Sequence, residues 1–444
     1  MIGFPLSFRA LIKTVSPDNI LFSYLIFPFT YSFVFFLGFY NFCIALIFLL
    51  ITLNYWLNNE ENFSSIKNIF KLFLLVTLTY FSHIFVFGIL MLLIGLHISI
   101  KIIIQLIENS NQTKRIIIDF FRKFGVLLLS AFIPLLLFSF YCYSRRFSES
   151  DIYINHTELI DWLKNIRPII AFNFMVEEAY TKKIFYLILS ICLIVIYNRV
   201  NEIKLNKGFS FRADFLSVIK SIIKVSDFWL FTSIIILLLY FILPDSAGAG
   251  GFVSERVGLL FFLFLIIWTS TQHLQKWFIL LIIGIVLYFN FKLNIYYSSE
   301  IKNLNKVAIE CNDASKYILS NSVILPLNYS DNWQHEHFSN YLGIDKPMVI
   351  LENYECATGY FPLKWNEKSI PNAILSNISL NDNLCLQWKR NTQNPPIIID
   401  YVFILGDMEA KTDSCDQIIK QNLFKYYTLI YRSEICKLYK NKYK

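Results

Sequence analysis

Long apolar runs constrain the fold of this chain more than any other feature of its sequence. Runs near 122–143, 182–199, 226–244, 256–271 and 277–296 are mostly apolar and approach or exceed the roughly 20 residues that a helix needs to cross a bilayer. Hydrophobic residues make up 56% of the 444 residues and charged residues only 16%, which lies outside the range of soluble globular domains. The sequence therefore predicts a mainly α polytopic membrane protein.

Two further apolar stretches, 20–57 and 67–107, are too long to be single spans. As straight helices they would measure about 57 Å and about 62 Å, roughly twice the hydrocarbon thickness of a bilayer. Pro28 and LGFYN (37–41) interrupt the first stretch, and YFSHIF (80–85) with Gly88 interrupts the second. We predict that both stretches fold back, which gives a bundle of about 8–9 spans.

The distribution of lysine and arginine predicts the orientation, because cytoplasmic loops carry an excess of both. Segments 101–123 and 199–224 hold five and six basic residues against two acidic residues each, whereas 144–181 holds four basic and six acidic residues. The first two segments are therefore predicted to be cytoplasmic. Alternation then assigns 144–181, the turn PDSAGAGGFVSERVG (244–258) and all residues after about 298 to the other side.

The tail after residue 298 has the composition of a separate domain. Residues 300–444 hold 16 basic and 16 acidic residues, so the formal charge of +8 lies in the membrane part. The excess of basic residues in cytoplasmic loops and their contact with anionic lipid explain this charge. The charge therefore does not indicate binding of nucleic acid. An apolar helical face over 301–319 precedes the short runs SVILPL, PMVILENY, IIIDYVFILG and YYTLIYR. We predict a transmembrane helical domain over 1–298 and a small extracytoplasmic α/β domain over 299–444.

Five of the eight cysteines fall in this tail, where an oxidising compartment would allow one or two disulfides. Because five is an odd number, at least one thiol would stay unpaired. The five cysteines are Cys311, Cys356, Cys385, Cys415 and Cys436. No C-x-x-C spacing occurs, and the pair His335 and His337 in NWQHEH supplies only half of a zinc site. The sequence therefore indicates no divalent metal.

The turn PDSAGAGGFVSERVG has the composition of a phosphate-binding loop but matches no nucleotide motif. Gly248 and Gly250 form G-x-G, yet the next glycine of a dinucleotide fingerprint would fall at Val253, and no G-K-[ST] follows. Arg256 lies at the expected start of a helix, where the guanidinium and the helix dipole would attract the same anion. The alternative is an arginine that pairs with Glu255 or extends to the lipid headgroups.

The order of these features resembles that of bacterial multi-pass glycosyltransferases of the GT-C type. The resemblance rests on FPFTYSFVFFLGFYNF (27–42), the break at YFSHIF, the P-D-S…G-G-F-V-S-E-R turn, the paired helices and the α/β tail. It implies an integral protein of the bacterial inner membrane, in contact with membrane lipid, that transfers a sugar from a polyprenyl-phosphate donor in cell-envelope glycan synthesis. The lipid-linked sugar would be its ligand, and no further cofactor is implied.

A donor of this kind needs cations for its phosphate and a base for the acceptor hydroxyl. The candidates for phosphate binding are Arg256, His83, Arg145 and Arg146, beside a loop formed by Gly248, Gly250, Gly251 and Glu255. A structural histidine and arginines that anchor the chain at the membrane interface are the alternatives.

The candidates for the base are the acids of the exterior loop, chiefly Asp151, Glu158, Asp161 and Glu177. Within that loop, Leu159, Trp162, Leu163 and Ile166 share one helical face, as in an interfacial helix. The alternative is that these acids are solvated on the polar face of that helix.

One departure from the GT-C pattern bears on activity. The family carries an acidic residue in its first exterior loop, whereas LGFYN has none, and Asp18 upstream is assigned to the cytoplasm. An upstream segment, another subunit or another acid would have to supply the group, so we predict that the chain alone does not complete sugar transfer. The alternatives are a non-catalytic membrane assembly protein and a lipid-linked glycan transporter, although the spans lack the mid-membrane charges typical of transporters.

Overall fold

The computed structural model describes residues 2–108, 112–144, 152–206, 224–246, 251–352, 356, 363–366, 399–410 and 414–443. The described chain is mainly helical and carries a small C-terminal sheet. It divides into two compact units, Met1–Asn294 and Ile295–Lys444.

Seven helices among the described residues are long and apolar enough to cross a membrane. They are Tyr40–Asn59, Ile84–Ile107, Thr113–Phe140, Phe174–Asn201, Val225–Ile242, Val253–Ser270 and Lys276–Ser315. Each of the five apolar runs predicted to span lies largely within one of these helices. The chain is thus an integral membrane protein, and the predicted total of eight to nine spans stays a prediction.

The α-helices that begin in the first unit are numbered in chain order. They are α1 (Gly3–Val15), α2 (Phe27–Thr30), α3 (Phe33–Phe36), α4 (Tyr40–Asn59), α5 (Ile66–Ser82), α6 (Ile84–Glu108), α7 (Thr113–Ser144), α8 (His156–Lys164), α9 (Phe174–Asn206), α10 (Phe228–Ile242), α11 (Val253–Ser270) and α12 (Lys276–Ser315). Short 3-10 helices at Pro17–Ile26, Arg167–Ile169 and Val225–Asp227 connect some of them.

Both long apolar stretches are broken, as predicted, within 37–41 and 80–85, whereas Pro28 and Gly88 lie inside α2 and α6. In the first stretch, short helical pieces end at a turn before α4, and Gly38 in that turn has a φ of +84°, which glycine adopts without steric cost. In the second stretch, His83 separates α5 from α6 with extended dihedral angles, and its N–H donates to Thr79 O at 3.0 Å.

Helix α11 is the central helix of the first unit. Of the residues in its apolar window, 83% are buried, against 28–44% for the six other candidate spans. Gly258 allows close packing at its start, since a Cβ there would lie 3.1 Å from Pro168 Cγ. The helix that carries Glu255 and Arg256 is therefore surrounded by protein.

Loops gather at two opposite ends of the spans. We name one of them the Lys101 end. There Lys101 and Lys123 donate to the Glu61 carboxylate at 3.0 and 2.9 Å. The hydrogen bond from Lys123 is the main cause that lowers the pKa of Glu61 to about 2. Ser16 of the same end donates to Ser270 O at the C-terminus of α11, at 2.7 Å.

At the other end, which we name the Arg256 end, aromatic rings and loop backbones meet. Phe252, which precedes α11, lies 5.7 Å from Phe33 and 5.8 Å from Phe39 between ring centroids. The backbone of Ile152 pairs with that of Ser246. The described parts of segments 144–181 and 244–258, which the sequence assigns to one side, thus lie at one end of the bundle.

The described residues of the second unit form a five-stranded sheet in the order β2-β1-β3-β5-β4. Its strands are β1 (Val323–Tyr329), β2 (Val349–Ile350), β3 (Tyr401–Gly406), β4 (Tyr427–Arg432) and β5 (Cys436–Asn441), with helix α13 (Ser414–Tyr426) before β4. Strands β2, β1 and β3 are parallel, and β5 is antiparallel to both β3 and β4.

The structure refines the predicted tail in three places. Each of the four apolar runs contains all or most of a strand, which in PMVILENY is only Val349–Ile350, but β5 was not predicted because basic and polar residues interrupt its apolar positions. The segment NWQHEH contains a 3-10 helix at Trp333–His335. Helix α12 runs without a break from Lys276 to Ser315, so the predicted span 277–296 and most of the apolar face over 301–319 belong to one helix.

Candidate functional site

Arg256 is buried at the start of α11 against aromatic rings. Arg256 is only 6% exposed. Its guanidinium carbon lies 4.6 Å from the ring centroid of Phe39 and 5.6 Å from that of Phe42. Within the described part of the chain, no group accepts a hydrogen bond from the buried Nε. Because a buried charged donor without an acceptor is costly, this guanidinium is suited to bind an anion.

Asp245 caps the helix that carries Arg256. Its carbonyl accepts from Val253 N at 3.1 Å, and its Oδ1 accepts from Ser254 N at 2.9 Å. Phe252 between them has a φ of +58°, so the chain turns sharply before the helix begins. Asp245 thereby satisfies two of the N–H groups that a helix start leaves free.

Glu255 pairs with a different arginine from the one that the sequence suggested. Its Oε1 lies 3.8 Å from Arg167 Nε, and no ion pair joins it to Arg256 among the described contacts. Glu255 is only 2% exposed. Its Oε2 atom is buried and has no hydrogen-bond partner among the described residues. This oxygen is therefore free to accept a proton or a hydrogen bond from a ligand.

Arg167 is a site residue that the sequence reasoning missed. Its guanidinium carbon lies 4.0 Å from the ring centroid of Phe33 and 5.5 Å from that of Trp162, and Nη1 donates to Ile170 O at 2.8 Å. Burial lowers the pKa of Arg167, and nearby carboxylates, first that of Glu255, act in the opposite direction. A signal was present, since the arginine in NIRPII (165–170) stands within an apolar part of segment 144–181.

Glu177 is buried rather than solvated, so the expectation of an acid on a polar helix face is wrong for this residue. It is 0% exposed, and its carboxylate accepts hydrogen bonds from three consecutive backbone N–H groups, Ala171 at 2.7 Å and Phe172 and Asn173 at 2.6 Å. Consecutive N–H groups of this kind form a concave anion site. Glu177 fills that site and fixes the turn before α9.

The amphipathic helix predicted within segment 144–181 is confirmed as α8 (His156–Lys164), although Ile166 of its predicted apolar face lies beyond the end of the helix. Leu159 and Ile166, from the predicted apolar face, are buried, whereas Glu158 and Asp161 are exposed. Asp161 Oδ2 accepts from Asn165 Nδ2 at 3.1 Å. The structure therefore keeps these two acids at the surface and does not bring them to Arg256.

Two of the predicted phosphate-binding residues, His83 and Arg256, both pack against the ring of Phe42. The His83 ring stands edge-on to Phe42 with 5.4 Å between centroids, and Phe42 also lies 5.6 Å from the Arg256 guanidinium carbon. In the described structure the Nδ1 atom of His83 is buried without a partner. A polar ligand near Phe42 would thus meet both side chains.

The other predicted site residues add little to this arrangement. Gly251 lies in the turn, and a Cβ at that position would have no described atom within 4 Å. Five residues lie outside the described ranges, namely Arg145, Arg146, Asp151, Gly248 and Gly250. Where the chain is described, no three His, Cys, Asp or Glu side chains are grouped to hold a metal ion.

We use the name Arg256 site for the group formed by the buried residues Arg256 and Glu255 and the half-buried residues Arg167, Asp245 and His83, with their aromatic neighbours. It combines two guanidiniums with a carboxylate oxygen that has no described partner. Guanidiniums bind phosphate or carboxylate in bidentate geometry. Comparison of the chain with protein-family models, with curated proteins and with solved structures found no match.

Proposed function

We propose that the Arg256 site binds the phosphate of a lipid-linked sugar and that the chain takes part in transfer of that sugar during cell-envelope glycan synthesis. The observation that carries the proposal is the buried Arg256 guanidinium, whose Nε has no acceptor among the described groups, at the N-terminus of a membrane helix. The helix dipole adds to the attraction for an anion.

The surroundings of Arg256 favour a sugar donor that combines polar, aromatic-stacking and lipid groups. Phe39, Phe42 and Phe33 bring aromatic faces to the guanidiniums, and such faces also stack on sugar rings. The spans expose large apolar side chains such as Leu129, Phe132 and Leu136, which suit contact with lipid. A polyprenyl-phosphate sugar combines a phosphate, a sugar and a lipid chain.

We further propose that the Arg256 end and the second unit face the non-cytoplasmic side of a bacterial inner membrane. The support is the charge distribution, because Lys101, Lys123, Arg115 and Arg199 all belong to segments rich in basic residues. Such segments remain in the cytoplasm.

Cysteine labelling in intact cells tests this orientation. Thr157→Cys and Ser320→Cys, both at exposed positions, should react with a membrane-impermeant maleimide in intact cells. Asn62→Cys, exposed in the loop between α4 and α5, should react only after permeabilisation. The unsubstituted chain gives the background from its own cysteines, and the opposite labelling pattern would reverse the proposed orientation.

Arg256→Ala should weaken binding of polyprenyl phosphate by about 10-fold or more, because a hydrogen bond to a charged group contributes about 1.5–3 kcal/mol. Arg256→Lys should lie between it and the unsubstituted chain, since lysine keeps the charge but loses the bidentate geometry. Binding is measured on the protein in lipid nanodiscs, with the matching polyprenol lacking phosphate as the ligand control.

Arg115→Ala is the matched protein control, because Arg115 is an exposed arginine of the segment 101–123. It should bind polyprenyl phosphate as tightly as the unsubstituted chain. Equal affinity of the Arg256→Ala protein, at normal folded yield, would end the proposal.

A non-catalytic assembly protein is the second candidate function, favoured by the segment LGFYN (37–41), which has no acid although Phe39 contacts Arg256. Glu255 is the carboxylate best placed to accept the acceptor's proton, because its Oε2 has no described partner. Transfer of labelled sugar that is lost in Glu255→Gln would support an enzyme. Donor binding without transfer would support the assembly function, or an acid supplied by another segment or subunit.

A further inference from the structure

Two buried cysteines face each other within the second unit. Cys311 of α12 and Cys436 at the start of β5 are both 0% exposed, and their Sγ atoms lie 3.6 Å apart. The two residues are 125 positions apart in the chain. They belong to one apolar cluster, together with Phe403 and Leu438.

Hydrogen bonds hold the backbone on both sides of this pair. Tyr431 Oη donates to Glu310 O at 3.3 Å, and Ser433 Oγ donates to the Glu310 carboxylate at 2.6 Å. Ser433 Oγ also accepts from Cys436 N at 3.0 Å. The residue that precedes Cys311 is thus tied to the turn that precedes Cys436, and this fixes the two Cα atoms relative to each other.

The remaining distance between the sulfurs is small. A disulfide has an S–S bond of about 2.05 Å, so the sulfurs must approach by roughly 1.5 Å. Rotation of the two side chains about χ1 moves each sulfur by more than half of that distance without moving the backbone. The geometry therefore permits a bond that needs no rearrangement of the sheet.

We propose that Cys311 and Cys436 form a disulfide in the mature protein. The proposal rests on the proposed extracytoplasmic location of the second unit, because disulfides persist in oxidising compartments. Each thiol loses a proton and the two sulfurs bond to each other. The two electrons reduce the disulfide of a cell-envelope thiol–disulfide oxidoreductase to two thiols, through a mixed disulfide. Since both thiols are buried afterwards, the bond forms before the unit closes.

No other pair of described cysteine side chains is placed in this way. Cys356 is half-buried and makes no sulfur contact with a described cysteine, and Cys43 and Cys192 lie in membrane helices of the first unit. Cys385 and the side chains of Cys142 and Cys415 are outside the described part of the chain. The sequence left the pairing open, and among the described cysteines the fold brings Cys311 and Cys436 together.

Peptide mapping of the full-length protein tests the proposal. The protein is purified from cells, unfolded in denaturant with iodoacetamide and without reductant, and digested with trypsin. Cleavage after lysine and arginine releases VAIECNDASK (307–316) and SEICK (433–437), and mass spectrometry should find them joined. Prior reduction should separate them. Cys311→Ser should abolish the joined species, and Cys192→Ser should retain it.

Carbamidomethyl groups on both peptides, with no joined species, would overturn the proposal. Refolding in oxidised and reduced glutathione then identifies the part that failed. Joining on refolding would mean that the geometry is right and the second unit faces a reducing compartment, whereas no joining would mean that the geometry is wrong. Neither result depends on binding of polyprenyl phosphate, so this test and that of the Arg256 site can fail separately.

Discussion

Glu177→Ala should lower the free energy of unfolding by about 1–3 kcal/mol through the buried N–H of Ala171 alone, because a buried donor left without an acceptor costs that much, and by more through two part-buried N–H groups that lose the same acceptor. The donors are those of Ala171, Phe172 and Asn173, at 2.6–2.7 Å from the carboxylate. The substitution also removes a negative charge that acts on Arg167. We expect a sharp loss of folded yield and a lower unfolding temperature in detergent.

Glu178→Ala is the matched control for this prediction. Glu178 is the next residue of the same helix, but its described ion pair is a surface contact with Lys182 at 3.4 Å. Surface pairs of this kind contribute about 0–1 kcal/mol. A similar loss of stability in both variants would contradict the structural role of Glu177, and Glu177→Gln should lie between the two because its amide oxygen still accepts.

Asp227→Ala should destabilise the Lys101 end by about 3–5 kcal/mol, since removal of one partner leaves a buried charge poorly compensated. Asp227 is 5% exposed. Its carboxylate accepts from Arg199 Nη2 at 2.7 Å, from Lys224 N at 2.9 Å and from Trp268 Nε1 at 3.4 Å. It thereby joins α9, the residues before α10, and α11. Thermal unfolding in detergent measures the effect.

A double-mutant cycle separates the ion pair from the other contacts of Asp227. Arg199→Ala with Asp227→Ala should cost less than the sum of the single substitutions, because each single variant strands the other charge. Asp313→Ala is the control, since Asp313 pairs with the exposed Lys316 at 2.6 Å on the surface of the second unit. Additive losses in the cycle would show that the Arg199–Asp227 pair contributes no coupling.

The sequence by itself determined the elements that depend on neighbouring residues. The apolar runs predicted the spans, and Gly38 and His83 lie in the predicted breaks. The apolar runs that overlap β1 to β4 predicted strands, and the apolar periodicity around Leu159 predicted the buried face of α8. These features follow from local hydrophobicity and periodicity, which a single segment contains.

Only the tertiary structure decided which side chains meet. Glu255 pairs with Arg167 rather than with its neighbour Arg256, and Cys311 faces Cys436 across 125 positions of chain. Glu177 is buried by a backbone turn whose shape its own carboxylate completes. The physical reason is the same in each case, because burial and pairing depend on segments that packing brings together, and hydrophobicity along the chain carries no record of which segments those are.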